Sequence, residues 1–345
     1  MKRISYIDIF KFFGVFFLLF EHAGNWCIFG STYNSVKVWI CSFHMPLFFV
    51  AYGMACSGKS IFLDDIGHCK SILGFIDRRF GSLLVPYIVW SMLYASDFSV
   101  VFFKGVLYGS NQSLYDANTF QVLWFFPTFF LSTLIFQILT ELSLRFKHEH
   151  FINLIFCLIC GSVSYLLSVN RGTWGRWFGY DIAFTGVVYM IIGIYARKMF
   201  DYLLNRKNYV LLCVLLVFIP LGWLIACNNL LDGFNTNIMA WAVYGESYIL
   251  GILSACFSIL GVLSLCVIMR NMGFISFLGQ NSMTIICFHG LIFRFSIPFS
   301  VLHFNNDMMI SLGNTIITII VSIPIILFVN RYCPVIVGKK SHNNN

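Results

Sequence analysis

Apolar residues run through this chain in blocks of about 20, each closed by a short cluster of charged or polar residues. A block of that length spans a hydrocarbon core of roughly 30 Å as a helix. The pattern predicts helices near 6–26, 38–57, 82–103, 120–142, 151–169, 178–196, 209–227, 247–268, 282–302 and 310–330. The fold class is therefore all-α, a polytopic bundle of about ten transmembrane helices. No stretch remains for a separate soluble domain, so 1–338 reads as one membrane unit and 339–345 as a short polar tail.

The first block, IDIFKFFGVFFLLFEHAG, breaks the apolar rule with Lys11, Glu21 and His22. Ionisable groups inside a membrane span are expensive, and they usually face a bundle interior or a water-filled cavity. The eleven steps between Lys11 and His22 come to about three turns plus 20°, so the two share a helix face roughly 16 Å apart along the axis. That face suits a long ligand held at one end by a cation and reacting at the other beside an imidazole. Glu21 points about 100° away from His22, so the two cannot face one channel centre equally. The same charges, with no small-residue cleavage site after them, argue against a cleaved signal peptide.

Lys and Arg set the orientation. Seventeen of the 22 fall in one set of connecting segments and only Lys37, Lys104, Arg171 and Arg176 in the other, with Arg294 inside a span. Both termini are then cytoplasmic, Lys11 lies near the cytoplasmic face, and His22 lies toward the outer half. The bias also accounts for the net charge of +8 without nucleic acid as a partner. The chain is 59% hydrophobic and 10% charged, which leaves a multi-pass protein of the cell membrane, with the lipid bilayer as its first partner.

The 12 cysteines are scattered through apolar spans, and the CxxC of Cys157 and Cys160 has neither a second pair nor a nearby histidine. They read as small hydrophobes, and no metal site is expected. Pro46, beside His44, removes a backbone hydrogen bond and tends to kink a helix next to a cavity. The 104–118 and 170–181 stretches place Tyr108, Tyr115 and Trp177 with polar neighbours on the outer side, where interfacial belts of Trp and Tyr also form by default.

Several short signatures follow in order: Tyr6-Ile7-Asp8, Lys11 with His22, Phe43-His44-Met45-Pro46-Leu47-Phe48-Phe49, Arg78-Arg79-Phe80 leading to Leu84-Val85-Pro86-Tyr87, Leu123-Trp124-Phe125-Phe126-Pro127, and Leu278-Gly279-Gln280-Asn281-Ser282-Met283 before His289. In this order the chain resembles the membrane acyltransferase-3 family, in the branch of fucose 4-O-acetylases and other polysaccharide O-acetyltransferases. The resemblance implies an acyltransferase that takes an acetyl group from cytoplasmic acetyl-CoA to a hydroxyl of a surface polysaccharide or a lipid-linked sugar. His22 would be the catalytic base, with Glu21 as its partner if it turns inward. Lys11, Arg78 and Arg79 would hold the phosphates of the acyl-CoA, and His44 and His289 would serve the acceptor. Relatives often show Arg-x-x-Arg where this chain has Ser82 three places after Arg79. A secondary transporter or glycan exporter, using the buried charges as a relay, is the rival reading.

Overall fold

The computed structural model describes residues 4–23, 31–56, 72–170, 172–173, 175–204, 208–230, 238–303 and 306–339, and these residues are helical with no strand. The helices are α1 (Ser5–Ala23), α2 (Ser31–Cys56), α3 (Ile72–Arg79), α4 (Val85–Leu93), α5 (Val100–Tyr108), α6 (Asn111–Asp116) and α7 (Phe125–Ser143). They continue as α8 (Glu149–Val169), α9 (Tyr180–Leu203), α10 (Asn208–Asn228), α11 (Tyr248–Ile268), α12 (Gly273–Gln280), α13 (Ser282–His303) and α14 (Asp307–Tyr332).

Seven stretches of helix among the described residues are long and apolar enough to cross a membrane, with α2, α7, α8, α9, α10, α11 and α14 as their bodies. An eighth forms if α12 and Ser282–Ser296, bent by 75° to one another, make one broken span. Two further helical runs, α1 and the run 72–93, each carry three charged residues: Asp8, Lys11 and Glu21 in one, Asp77, Arg78 and Arg79 in the other.

The span expected over 82–103 is broken instead of continuous. Helix α4 ends at Leu93, and α5 begins only after Ser99. The cause is local: Asp97 accepts from the Ser99 amide at 3.2 Å, and the Ser99 hydroxyl accepts from the Phe102 amide at 3.2 Å. Such side chains compete with the helix ladder and cap a new helix in its place.

The chain divides into two compact units. The first comprises Met1–Ala55, Tyr195–Met239 and Val243–Phe328. Within it α1 packs on α11, α12 and α13. A Cβ added to Gly279 of α12 would lie 1.7 Å from the Asp8 carbonyl oxygen, so only glycine lets these two backbones meet. Helices α10 and α11 approach on the same principle, with Gly222 against Ser258 and Gly261 against Ile219. Polar side chains tie the contact together: Ser254 donates to the Gly222 carbonyl at 3.0 Å and meets Ser42 of α2 at 3.1 Å, while the Trp39 indole donates to Ser258 at 2.8 Å. Small residues and interhelical hydrogen bonds of this kind replace the hydrophobic drive that lipid does not supply.

The second unit comprises Cys56–Ile194, Ala240–Ala242 and Val329–Asn345. Between α3 and α4 the helix widens into a π-helical turn over Phe80–Leu84. The turn Pro334–Val337 packs against it: Gly338, at φ +71°, sits against the Ser82 carbonyl, and the Trp90 indole donates to the Ile336 carbonyl at 2.8 Å. The stretch 104–118 forms the end of α5 and the whole of α6, and Trp177 donates to the Leu107 carbonyl at 3.2 Å.

Candidate active site

Three helices of the first unit bring their ionisable groups together. The last turn of α1 supplies Glu21 and His22. The buried face of α2 supplies Lys37, Cys41 and His44, whose i, i+4, i+7 spacing stacks them on one side. Helix α13 supplies His289, which is fully buried. His22 and Lys37 converge on the Glu21 carboxylate. One oxygen lies 3.1 Å from His22 Nε2 and the other 3.7 Å from Lys37 Nζ. The ring of His289 stands 5.4 Å from that of His22, centroid to centroid.

The hydrogen bonds assign the tautomers. A carbonyl oxygen only accepts, so an imidazole nitrogen facing one must carry the proton. His44 Nδ1 donates to the Ile40 carbonyl at 2.9 Å, and His289 Nδ1 donates to the Ile286 carbonyl at 2.6 Å. Both rings are thereby held with Nε2 as the acceptor. His22 is the reverse, because its Nε2 faces the carboxylate and Nδ1 is left with the lone pair. Among these groups Glu21 and Lys37 cancel in charge, with side chains only 10% and 11% exposed. His22, at 25%, is the more accessible member.

The structure thus joins His22, Glu21 and His289, and sets His44 on the same face as Lys37. The 100° offset between Glu21 and His22 does not separate them, because the longer Glu21 side chain bridges it at the helix end. Lys11 remains three turns away on α1, where it pairs with the buried Asp8 at 2.6 Å. Val15 and Leu18, which share the stripe between Lys11 and His22, are 0% and 1% exposed, so packing fills the middle of that stripe. Arg78 and Arg79 belong to the second unit. Arg78 is exposed and donates to the Gly74 carbonyl at 3.1 Å, while Arg79 lies 5.2 Å over the Phe75 ring.

Sequence reasoning missed Lys37, which was counted among outer-side topological charges. Its spacing to Cys41 and His44 was the signal that it points inward with them.

Beyond the geometry, a family model described as an acyltransferase domain matches residues 4–330. No curated protein and no solved structure matches the chain.

Proposed function

Because the chain belongs to the acyltransferase-3 family, as its match over residues 4–330 establishes, we propose that it moves an acetyl group from cytoplasmic acetyl-CoA to a hydroxyl of an extracytoplasmic glycan or its lipid-linked precursor. It is an acyltransferase with several membrane-crossing helices. The proposal extends that to the polysaccharide O-acetyltransferase branch, to the cell membrane, and to ten spans with both termini cytoplasmic once α1 and the run 72–93 are counted.

The observation that carries the reading is the His22–Glu21–Lys37 arrangement. Glu21 fixes the Nε2–H of His22, so Nδ1 is the base. The sugar hydroxyl gives its proton to Nδ1 as its oxygen attacks the thioester carbonyl. The tetrahedral intermediate then collapses, the carbon–sulfur bond breaks, and the CoA sulfur leaves with that proton. His44 and His289 present Nε2 acceptors, which suit the hydroxyl donors of a sugar and not the oxyanion of the thioester. Arg78 and Arg79 are assigned to the CoA phosphates, which guanidinium groups hold in bidentate fashion.

The test compares wild type with His22→Ala, reading acetyl ester on cell-surface glycan and acetyl-CoA consumption by membranes. General-base removal lowers the rate by about 10²–10⁴-fold. Equal acetylation by the two proteins would sink the assignment of His22, and substrate flux without acetylation in either would point to transport.

A further inference from the structure

Arg78 and Arg79 end α3, and the π-helical turn Phe80–Leu84 that follows them carries no charged side chain. A further cation reaches this turn from the far end of the sequence. After α14 the chain doubles back as the turn Pro334–Val337, with Val337 buried and the Trp90 indole donating to the Ile336 carbonyl. The next residue, Gly338, lies so close to the π-helical turn that a Cβ built on it would stand 2.1 Å from the Ser82 carbonyl oxygen. Ser82 in turn donates its hydroxyl to the Arg79 carbonyl at 3.3 Å. Lys339 therefore follows a residue seated on Ser82, one helical turn along from Arg79.

That position is specified in detail. The Lys339 amide donates to the Pro334 carbonyl at 3.0 Å and closes the turn, while Nζ donates to Asn330 Oδ1 at 2.6 Å. A cation that serves topology alone needs only to lie on the right side of the bilayer. Here a buried indole, a closed turn and a glycine contact at φ +71° hold the residue in place. Arg78 is exposed, and among the described residues it bonds a backbone carbonyl and no carboxylate. Cations gathered on one short stretch suit a ligand rich in phosphate oxygens, and π-helical turns recur at functional sites.

We propose that the C-terminal turn is part of the donor site, with Lys339 holding a phosphate of the acyl-CoA beside Arg78 and Arg79. This rests on the acetyl-transfer reading and adds to its two arginines a residue from the opposite end of the chain. An anionic lipid headgroup offers the same chemistry. CoA is the better match, because it carries a diphosphate and a ribose 3′-phosphate where phosphatidylglycerol carries a single phosphodiester.

The full chain, purified in phosphatidylcholine nanodiscs, is titrated with CoA and with pantetheine, which has the thiol arm and no phosphate. Lys339→Met lowers CoA affinity about tenfold, about 1.4 kcal/mol, and leaves pantetheine affinity unchanged. Lys339→Arg keeps most of the CoA affinity. Gly338→Ala keeps every charge but displaces the turn, and it weakens CoA in the same selective way. Lys198→Met, which removes an exposed lysine of the first unit, binds CoA as wild type. Monodisperse elution of each variant shows that it is folded. Wild-type CoA affinity in Lys339→Met, or an equal loss for pantetheine, overturns the proposal. So does phosphatidylglycerol in the nanodisc if it abolishes the difference between wild type and Lys339→Met, since the cation then serves a headgroup. Wild-type protein that binds CoA with this dependence on Lys339 but consumes no acetyl-CoA leaves the phosphate site standing and sinks the transfer reading.

Discussion

Replacing Glu21 by Gln keeps the size of the side chain while deleting the charge that holds the candidate site together. The Lys37 contact at 3.7 Å is worth about 4–5 kcal/mol of attraction at an effective dielectric of about 20, before desolvation is subtracted. Breaking a buried pair by removing one partner costs about 3–5 kcal/mol, because the other charge stays behind. At 11% exposure Lys37 is close to that situation, and the long contact puts the expected loss near the lower end, about 3 kcal/mol. Removing both charges in Glu21→Gln/Lys37→Met leaves no orphan, so the double variant is expected to be more stable than Glu21→Gln alone. Activity does not recover in parallel. The amide no longer enforces the Nε2–H form of His22, and a loss of about 100-fold in kcat, or about 2.7 kcal/mol, is expected in both single and double variants. Thermal midpoints in detergent and CoA release with saturating donor measure the two effects. Single-variant stability costs that add to within about 0.5 kcal/mol refute the coupling. A Glu21→Gln enzyme with wild-type kcat refutes the role given to the carboxylate.

Gly279→Ala forces a methyl group into the Asp8 carbonyl at 1.7 Å, so α12 must leave α1; the variant should lose most of its folded yield, read by size exclusion in detergent. His44→Gln is expected to raise KM for the glycan acceptor about tenfold, about 1.4 kcal/mol, while KM for acetyl-CoA is unchanged in initial-rate kinetics. Trp90→Phe removes one hydrogen bond to the Ile336 carbonyl and should lower the stability of its unit by about 1 kcal/mol, seen as a lower thermal midpoint with kcat retained.

Much of the fold could be read from apolar blocks, since a helix in lipid satisfies its own backbone and needs little else from the sequence. The blocks around Phe125–Ser143, Glu149–Val169 and Tyr248–Ile268 illustrate this. Hydropathy fails where backbone is redirected by a few polar atoms. The break after Leu93 depends on Asp97 and Ser99, and the 75° bend before α13 falls at the asparagine Asn281 inside an apolar run. The candidate site was legible on α1 because charges in an apolar helix are conspicuous. Lys37 was not, because a lysine near a helix end serves topology as readily as chemistry, and only the fold shows which carboxylate it meets. The pairing of Glu21 with His22 also escaped angular reasoning, which fixes where Cβ points but not where a long side chain ends.

The packing of α1 on α12 has a consequence for how the protein is made. Helix α1 leaves the ribosome well before α12, since the glycine surface that receives its Asp8 turn lies some 270 residues later in the chain. At roughly 5–20 residues per second, the helix waits on the order of 15–50 s before its seat exists. During that interval the Asp8 turn lacks the surface it packs on, and a helix with three charges is a poor independent insertant. The candidate active site is therefore completed late, only once α12 and α13 have been made. A nascent chain stopped short of Gly279 should be cleared by membrane quality control and not persist as a partly active fragment.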